Sequence, residues 1–336
     1  METSQNIYKG ELCNNSPFFT IILAVYNSQA FLTDAIESVL NQSWTDIELI
    51  LVNDGSSDNS SDICKRFKQI DKRISYIEKK NEGVAIARNR ALDIACGQYV
   101  LFVDSDDILY PDTLDNLYKY LVRKQCDILR FEFKTIDEKG STLYPNYELK
   151  RRGKYSGNMF SPANFILKIL GDEFYLCMNV FRRSIFEQHQ LRFSEGCSYM
   201  EDCDLILRFL SFSKSCGYSA FIGYGYRKYS SSATSILTKK KYQDILSVFE
   251  NVVHLSEIAT DMDFPLKRVY EGIGLNLYNN TFIFNDITNR EKIIKICTTK
   301  PIRLEWKLFP FLGAKFWSLL TFMRKMNRRL FYYSQK

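Results

Sequence analysis

Three carboxylates stand within four positions where an apolar run ends, in LFVDSDDIL (101–109): Asp104, Asp106 and Asp107. Like charges this close raise one another's proton affinity, so the cluster asks for a positive partner. Carboxylates and backbone carbonyls, with no His or Cys beside them, suit a hard cation such as Mg2+ or Mn2+, which is commonly shared with a phosphate. The cluster therefore reads as a metal–diphosphate site. Asp106 or Asp107 alone could instead cap the helix that follows at 111–124. An EF-hand is excluded, because the glycine at its sixth position and the glutamate at its twelfth are missing. A further carboxylate, Asp54, comes straight off an apolar strand and precedes Gly55, which permits a sharp turn. It can accept a hydrogen bond from a base or sugar there, or belong to a plain Asp-Gly-Ser turn.

The elements that must position these groups alternate. FFTIILAVYN (18–27) and IELILVND (47–54) are near-continuous apolar runs, as strands buried on both faces should be. ISYIEKK (74–80), YVLFVD (99–104) and DILRFEFKTID (127–137) complete five strands. Helices fall between them at 28–43, after a cap at Ser57 or Asp58, at 84–96 with Gly97 as C-cap, and at 111–124 behind Pro111. Alternating strands and helices imply an α/β fold with a mostly parallel sheet, whose ligands bind beyond the C-terminal strand ends. Tyr26-Asn27, Asn53-Asp54-Gly55 and the cluster at 104–107 should therefore converge on one rim. The Tyr- and Gly-rich stretch 140–160 reads as a loop. Beyond it, helices are expected at 162–170, 201–213, 242–258, 265–284 and 290–298.

Composition bounds the function. The 336 residues are 46% hydrophobic and 25% charged, a folded globular mix. No run of 18 apolar residues suggests a spanning helix, and the N-terminus lacks the basic and apolar regions of a secretory signal. Nine scattered cysteines without a CxxC pair point to neither a disulfide framework nor a zinc site, and favour a reduced, cytosolic setting. The net charge of +6 is local: residues 301–336 carry +7, and the remainder is nearly neutral. LGDEF (170–174) follows the helical stretch ANFILKI rather than sitting on a hairpin, which rejects a cyclic-dinucleotide synthase. The first strand–helix turn, VYNSQAF, lacks the GxGxxG of a dinucleotide-binding domain and the Gly- and Lys-rich loop of a nucleotidyltransferase.

TIILAVYN, IELILVNDGSSDNS, NEGVAIARNRAL and GQYVLFVDSDDIL, in that order, with YMEDCDLILRFL (199–210) beyond them, resemble family 2 glycosyltransferases of the GT-A fold. The resemblance covers residues 18–235. It implies a GT-A, Rossmann-like sheet flanked by helices, a nucleotide-sugar donor and a divalent cation, Mg2+ or Mn2+. By the same resemblance, Ala24 and Tyr26 line the nucleotide and Tyr26 and Asp54 contact the uracil of a UDP-sugar. Arg88 holds the nucleotide, and Asp104 with Ser105 approaches the ribose or metal. Asp106 is the main metal ligand, with Asp104 beside it and Asp107 as its substitute. Asp202 is the general base, and Glu201 orients the acceptor; the pair also suits a helix N-terminus electrostatically. Where many relatives carry histidine after this helix, the chain has Tyr229, with Arg227, Ser232 and Thr234 expected nearby. The absence of a Gln-x-x-Arg-Trp motif implies one sugar per visit. An inactive nucleotide-sugar-binding protein is the alternative.

The last informative segment is GAKFWSLLTFMRKMNRRLFYY (313–333). Phe316, Leu319, Leu320, Met323, Met326 and Leu330 trace one helical side, while Arg324, Lys325, Arg328 and Arg329 gather towards the other. Such a helix can lie in an anionic bilayer surface, or pack on the catalytic domain with its charges solvated. No nucleic-acid-binding motif accompanies the charge. The whole reads as an N-terminal extension (1–17), a catalytic domain (18–235), a helical extension (236–300) and a basic amphipathic segment (301–336). The protein is expected as a peripheral enzyme on the cytoplasmic face of the membrane, acting on a glycan or lipid-linked glycan.

Overall fold

A computed structural model describes residues 16–144, 147–229, 237–303 and 306–307. The chain divides into two compact units, Met1–Ile236 and Leu237–Lys336. The first begins β1 (Phe19–Val25), α1 (Leu32–Leu40), β2 (Ile47–Asp54), α2 (Ser60–Ile70), β3 (Ile74–Lys79), α3 (Val84–Ile94), β4 (Tyr99–Phe102), β5 (Ile108–Leu109), α4 (Thr113–Lys124) and β6 (Ile128–Ile136). It continues with β7 (Thr142–Tyr144), α5 (Tyr147–Arg152), β8 (Met159–Phe160), α6 (Pro162–Phe165), β9 (Asn179–Arg182), α7 (Arg183–Gln188), α8 (Glu201–Phe212) and β10 (Cys216–Arg227). A π turn over Ile166–Leu170 extends α6, and a 3-10 turn over Leu176–Met178 precedes β9.

The strands form one sheet in the order β3-β2-β1-β4-β9-β6-β10-β5, with β7 on β6 and β8 on β10. β3, β2, β1 and β4 pair in parallel. β9 is antiparallel to both β4 and β6, and β10 is parallel to β6. The C-terminal ends of β1, β2, β4, β6 and β10, together with the start of β9, therefore share one edge. The sequence pattern left both β9 and β10 unassigned. β9 is four residues long, too short for a period to show.

Strand alternation sends Phe19, Ile21, Leu23, Val25, Leu49, Leu51 and Leu101 into a fully buried core with Ala35 and Ile36 of α1, Phe67 of α2 and Leu114 and Leu117 of α4. Ile22, Ile50 and Phe102, offset by one, point to the opposite face. There Phe102 meets Phe181 and Phe193 edge-on, and Phe181 meets Phe209 of α8. Both faces are covered, which explains why β1 and β2 read as unbroken apolar runs.

Gly97 does not cap α3, whose final cap is Ala95. A Cβ on Gly97 would stand 2.4 Å from the Thr20 nitrogen, so the glycine lets the chain enter β4 against β1. Its N–H donates to Thr20 Oγ1 at 2.8 Å and to Glu48 Oε1 at 3.0 Å. Seven described cysteines are free thiols.

The second unit holds α9 (Lys239–Ile258), α10 (Asp263–Ile283) and α11 (Ile287–Thr298), packed in sequence. Buried Glu271 of α10 accepts from the backbone N–H groups of Ile302 and Arg303, and its carbonyl accepts from the buried Trp306 indole. Among the described residues no helix is long and apolar enough to cross a membrane. The amphipathic segment 313–333, Ser232 and Thr234 lie outside the described residues.

Candidate active site

The rim loops are stitched side to side. Asn27, with φ of 47°, accepts through Oδ1 from Ser57 N–H at 2.8 Å and donates its N–H to Ser56 Oγ at 3.0 Å, joining the ends of β1 and β2. Residues 28–31, expected at the start of the first helix, belong to this rim. Ser28 Oγ lies 2.6 Å from Ser105 Oγ, joining β1 to β4. Ala24 and Tyr26 stand at the end of β1, and the Tyr26 side chain is open, with the residue 51% exposed.

Asp54 has more partners than a lone acceptor would. It is buried, with Oδ1 accepting from the Lys79 ammonium and Glu82 N–H and Oδ2 from Gly83 N–H at 2.9 Å. It thereby pins the loop ahead of α3 to the end of β2, and Oδ2 keeps room for one more donor. Gly55, at φ of 70°, turns the chain where a Cβ would lie 2.6 Å from Asn81 N.

Arg88 of α3 is the positive partner that the acidic cluster asked for. Its guanidinium donates to Asp104 Oδ1 at 3.1 Å, to Glu201 Oε1 at 3.0 Å and to Asp202 Oδ1 at 3.1 Å, and it stands 5.4 Å above the Phe193 ring. Burial alone would lower its proton affinity; Asp202, Asp104 and Glu201 more than offset that, so Arg88 stays charged. A single arginine thus gathers carboxylates 97 and 98 positions apart in the chain (104 to 201 and 202). Met200, in the left-handed region at φ of 66°, sets the turn that presents Glu201 and Asp202 at the start of α8.

The two acids of that pair differ. The Asp202 side chain is 28% exposed and Glu201's is 13%. Glu201 contacts Arg88 through Oε1 and so helps to orient that guanidinium. Asp202 Oδ2 also accepts from Leu176 N–H at 3.3 Å. Desolvation first, then Glu201, push the Asp202 carboxyl up to about 7, against the opposing pull of Arg88.

Asp106 and Asp107 have separate tasks. Asp107 is buried, and both its oxygens are engaged: Oδ2 by the Tyr224 hydroxyl at 2.8 Å and Oδ1 by Arg227 N–H at 2.6 Å. These contacts tie β10 to the cluster. Asp106 is less enclosed and accepts from the Tyr229 hydroxyl at 2.8 Å. Arg227 donates through Nε to the Asp106 carbonyl at 2.8 Å, and its guanidinium lies 4.5 Å above Phe31. Burial foremost, then Asp104, raise the proton affinity of both Asp106 and Asp107.

This donor set fits a divalent cation. Ligand atoms of Asp104, Asp107 and Cys177 lie within 4.8 Å of one another. Burial keeps the Cys177 thiol protonated, which makes it a poor partner for a hard ion. Asp104 and Asp106 remain as half-open carboxylates whose mutual repulsion a cation relieves.

Tyr224, Lys79 and the Leu176 N–H were missed in the sequence. The alternation Gly223-Tyr224-Gly225-Tyr226 was a readable signal of a strand with both tyrosines on one face. The partners of Lys79 and Leu176 depend on how distant loops meet.

A sequence model described as glycosyl transferase family 2 matches residues 20–190, half of the chain. The chain belongs to this family. It is 42% identical over 125 residues, 37% of its length, to glycosyltransferase GlyA of Streptococcus pneumoniae, and spans 18% of that protein. It is 30% identical over 225 residues, 66% of its length, to the minor teichoic acid biosynthesis protein GgaB of Bacillus subtilis, spanning 24% of it. The fold resembles that of S. aureus TarS 1–349 in complex with UDP-GlcNAc, at a TM-score of 0.63 and 18% identity, covering 83% of this chain and 79% of that one. The chain thus shares the GT-A fold, and the residues singled out by the family resemblance stand near its strand ends and at the start of α8.

Proposed function

We propose that the protein is an inverting, non-processive glycosyltransferase that moves a sugar from a UDP-sugar to a hydroxyl of a glycan acceptor. The observation that carries the reading is the Arg88 junction, which holds Asp104 of the donor side 3.1 Å from the same guanidinium as Asp202. Tyr26 offers its open ring to the uracil, Asp54 Oδ2 accepts the N3–H, and Ala24 and Ser105 line the nucleotide path. Asp106, with Asp104, would hold a divalent cation, Mg2+ or Mn2+. When bound, that cation neutralises the charge that develops on the departing diphosphate.

Asp202 performs the proton step. An alcohol is a poor nucleophile, and a carboxylate within hydrogen-bond reach takes its proton as the oxygen attacks the anomeric carbon. Arg88 and Leu176 N–H orient Asp202, leaving lone pairs for the acceptor hydroxyl. Attack opposite the diphosphate inverts the anomeric centre. Arg88, fixed by Glu201, offsets the carboxylate charge that would otherwise repel an anionic donor.

The acceptor is a lipid-linked intermediate of a surface polysaccharide. The name of GgaB, a polymer-biosynthesis relative, and the basic amphipathic segment 313–333 support this, as does the cytoplasmic, peripheral location that such a segment gives. The test is release of nucleoside diphosphate from a panel of nucleotide sugars. UDP-sugar turnover that needs Mn2+ and is abolished in Asp106→Asn supports the reading. Turnover that ignores both, or an Asp202→Asn variant behaving as wild type, overturns it; the latter pattern with donor binding retained fits a nucleotide-sugar sensor.

A further inference from the structure

The residues of LGDEF and the three that follow form a loop at the same sheet edge, between the π turn after α6 and β9. Tyr175 leads into its 3-10 turn and is 38% exposed. Its ring stands on two others, 5.5 Å from Phe133 of β6 and 6.2 Å from Tyr226 of β10. Tyr226 lies two residues from Tyr224, which holds Asp107, and two residues along a strand return to the same face. The residue after Tyr175 gives the N–H that holds Asp202. The ring thus packs on a strand pair that reaches Asp107, and its backbone neighbour holds Asp202.

The loop is anchored from below by polar groups that are costly to bury. Arg130 of β6 donates to the Glu173 carbonyl and carboxylate, both at 3.3 Å. Arg152 donates to the same carboxylate at 2.6 Å and pairs with Glu132, whose Oε1 also accepts from the Tyr218 hydroxyl at 2.8 Å. Asn179 Nδ2 donates to the Tyr175 carbonyl at 2.7 Å. Arg130, Arg152, Glu132 and Asn179 are fully buried. Such a network costs desolvation and is matched by apolar packing for stability alone. It does fix where Tyr175 stands, as a first-contact residue in a precise site requires.

We infer that Tyr175 is the stacking platform for the pyranose ring of the acceptor, and so a specificity-determining residue of the transfer. A pyranose presents a face of C–H groups, and an aromatic face with its negative quadrupole attracts them. Because the next residue's N–H holds Asp202, a sugar seated on the ring would be oriented towards the base. A sugar lacking such a C–H face is disfavoured. The inference deepens the proposed function and rests on it only in naming the bound sugar the acceptor.

Saturation-transfer NMR on the full chain with UDP and Mg2+ tests it, using methyl β-D-glucopyranoside, methyl β-D-galactopyranoside and methyl N-acetyl-β-D-glucosaminide as probes. At least one is expected to bind through ring C–H protons. Tyr175→Ala should weaken that binding about fivefold to tenfold, the scale of one aromatic contact, while Tyr175→Phe stays within about twofold. UDP affinity should not change in either variant. Unchanged pyranoside binding in Tyr175→Ala, no binding of any probe by the unmodified chain, or a parallel fall in UDP affinity would overturn the assignment. If the unmodified chain binds pyranosides in a Tyr175-dependent way but not UDP, the donor reading fails and the platform stands.

Discussion

As the proposed base, Asp202 has an environment that sets a pH signature. Its carboxyl is raised to about 7, so the deprotonated base accumulates as pH rises through that value. The rate of the chemical step should therefore climb between about pH 6 and 8 and then level. The same shift acts on stability with the opposite sense. The folded state holds a proton that the unfolded chain releases near pH 4, so Asp202 stabilises at low pH and this contribution is lost as pH rises towards 7. A kcat–pH profile together with denaturant midpoints over that range checks both. Asp202→Asn should lower kcat about 100-fold or more, the usual worth of a positioned base, with UDP affinity unchanged by calorimetry. Flat pH dependence in the chemical step would contradict the assignment. Of these residues, Asp54, Asp104, Asp106 and Asp202 stood out because each lies within three residues of the end of an apolar run or opens an apolar helix. Their partners did not, since Arg88 meets Asp202 across 114 positions.

At the scale of elements, α3 and β4 decide whether the rim assembles. Arg88 joins three carboxylates, and deleting its charge leaves them repelling one another in a half-buried cleft. Arg88→Met should cost about 3–5 kcal/mol at pH 7, as removal of one member of a buried ionic group does, with part recovered at pH 5. Chemical denaturation measures both. Gly97→Ala tests the strand entry, where a Cβ would meet β1 backbone at 2.4 Å. It should destabilise by about 1–3 kcal/mol or more, with no selective effect on UDP binding. The sequence exposed β1 to β4 because parallel strands covered on both faces lack polar alternation. It hid β9, four residues inserted antiparallel between β4 and β6, and it assigned Gly97 to a helix end because a cap and a close strand crossing call for the same residue.

For the whole molecule, the family residues occupy the first unit and the strongest charge asymmetry the last 36 residues. Flotation with vesicles rich in anionic lipid should carry the full chain and leave a chain lacking 313–336 behind, with the difference shrinking at high salt. Equal recovery of both chains would separate the acceptor from a membrane location. The central claim concerns the sheet edge: the carboxylates after β4 hold a cation and the diphosphate it neutralises, next to Asp54 of β2 for the uracil and Asp202 of α8 for the proton. The most direct measurement is anomalous diffraction from crystals soaked with Mn2+ and UDP. A manganese peak bound by Asp104 and Asp106, with the uracil at Tyr26 and Asp54, is the expected result. Manganese elsewhere, or UDP bound away from that edge, would contradict it.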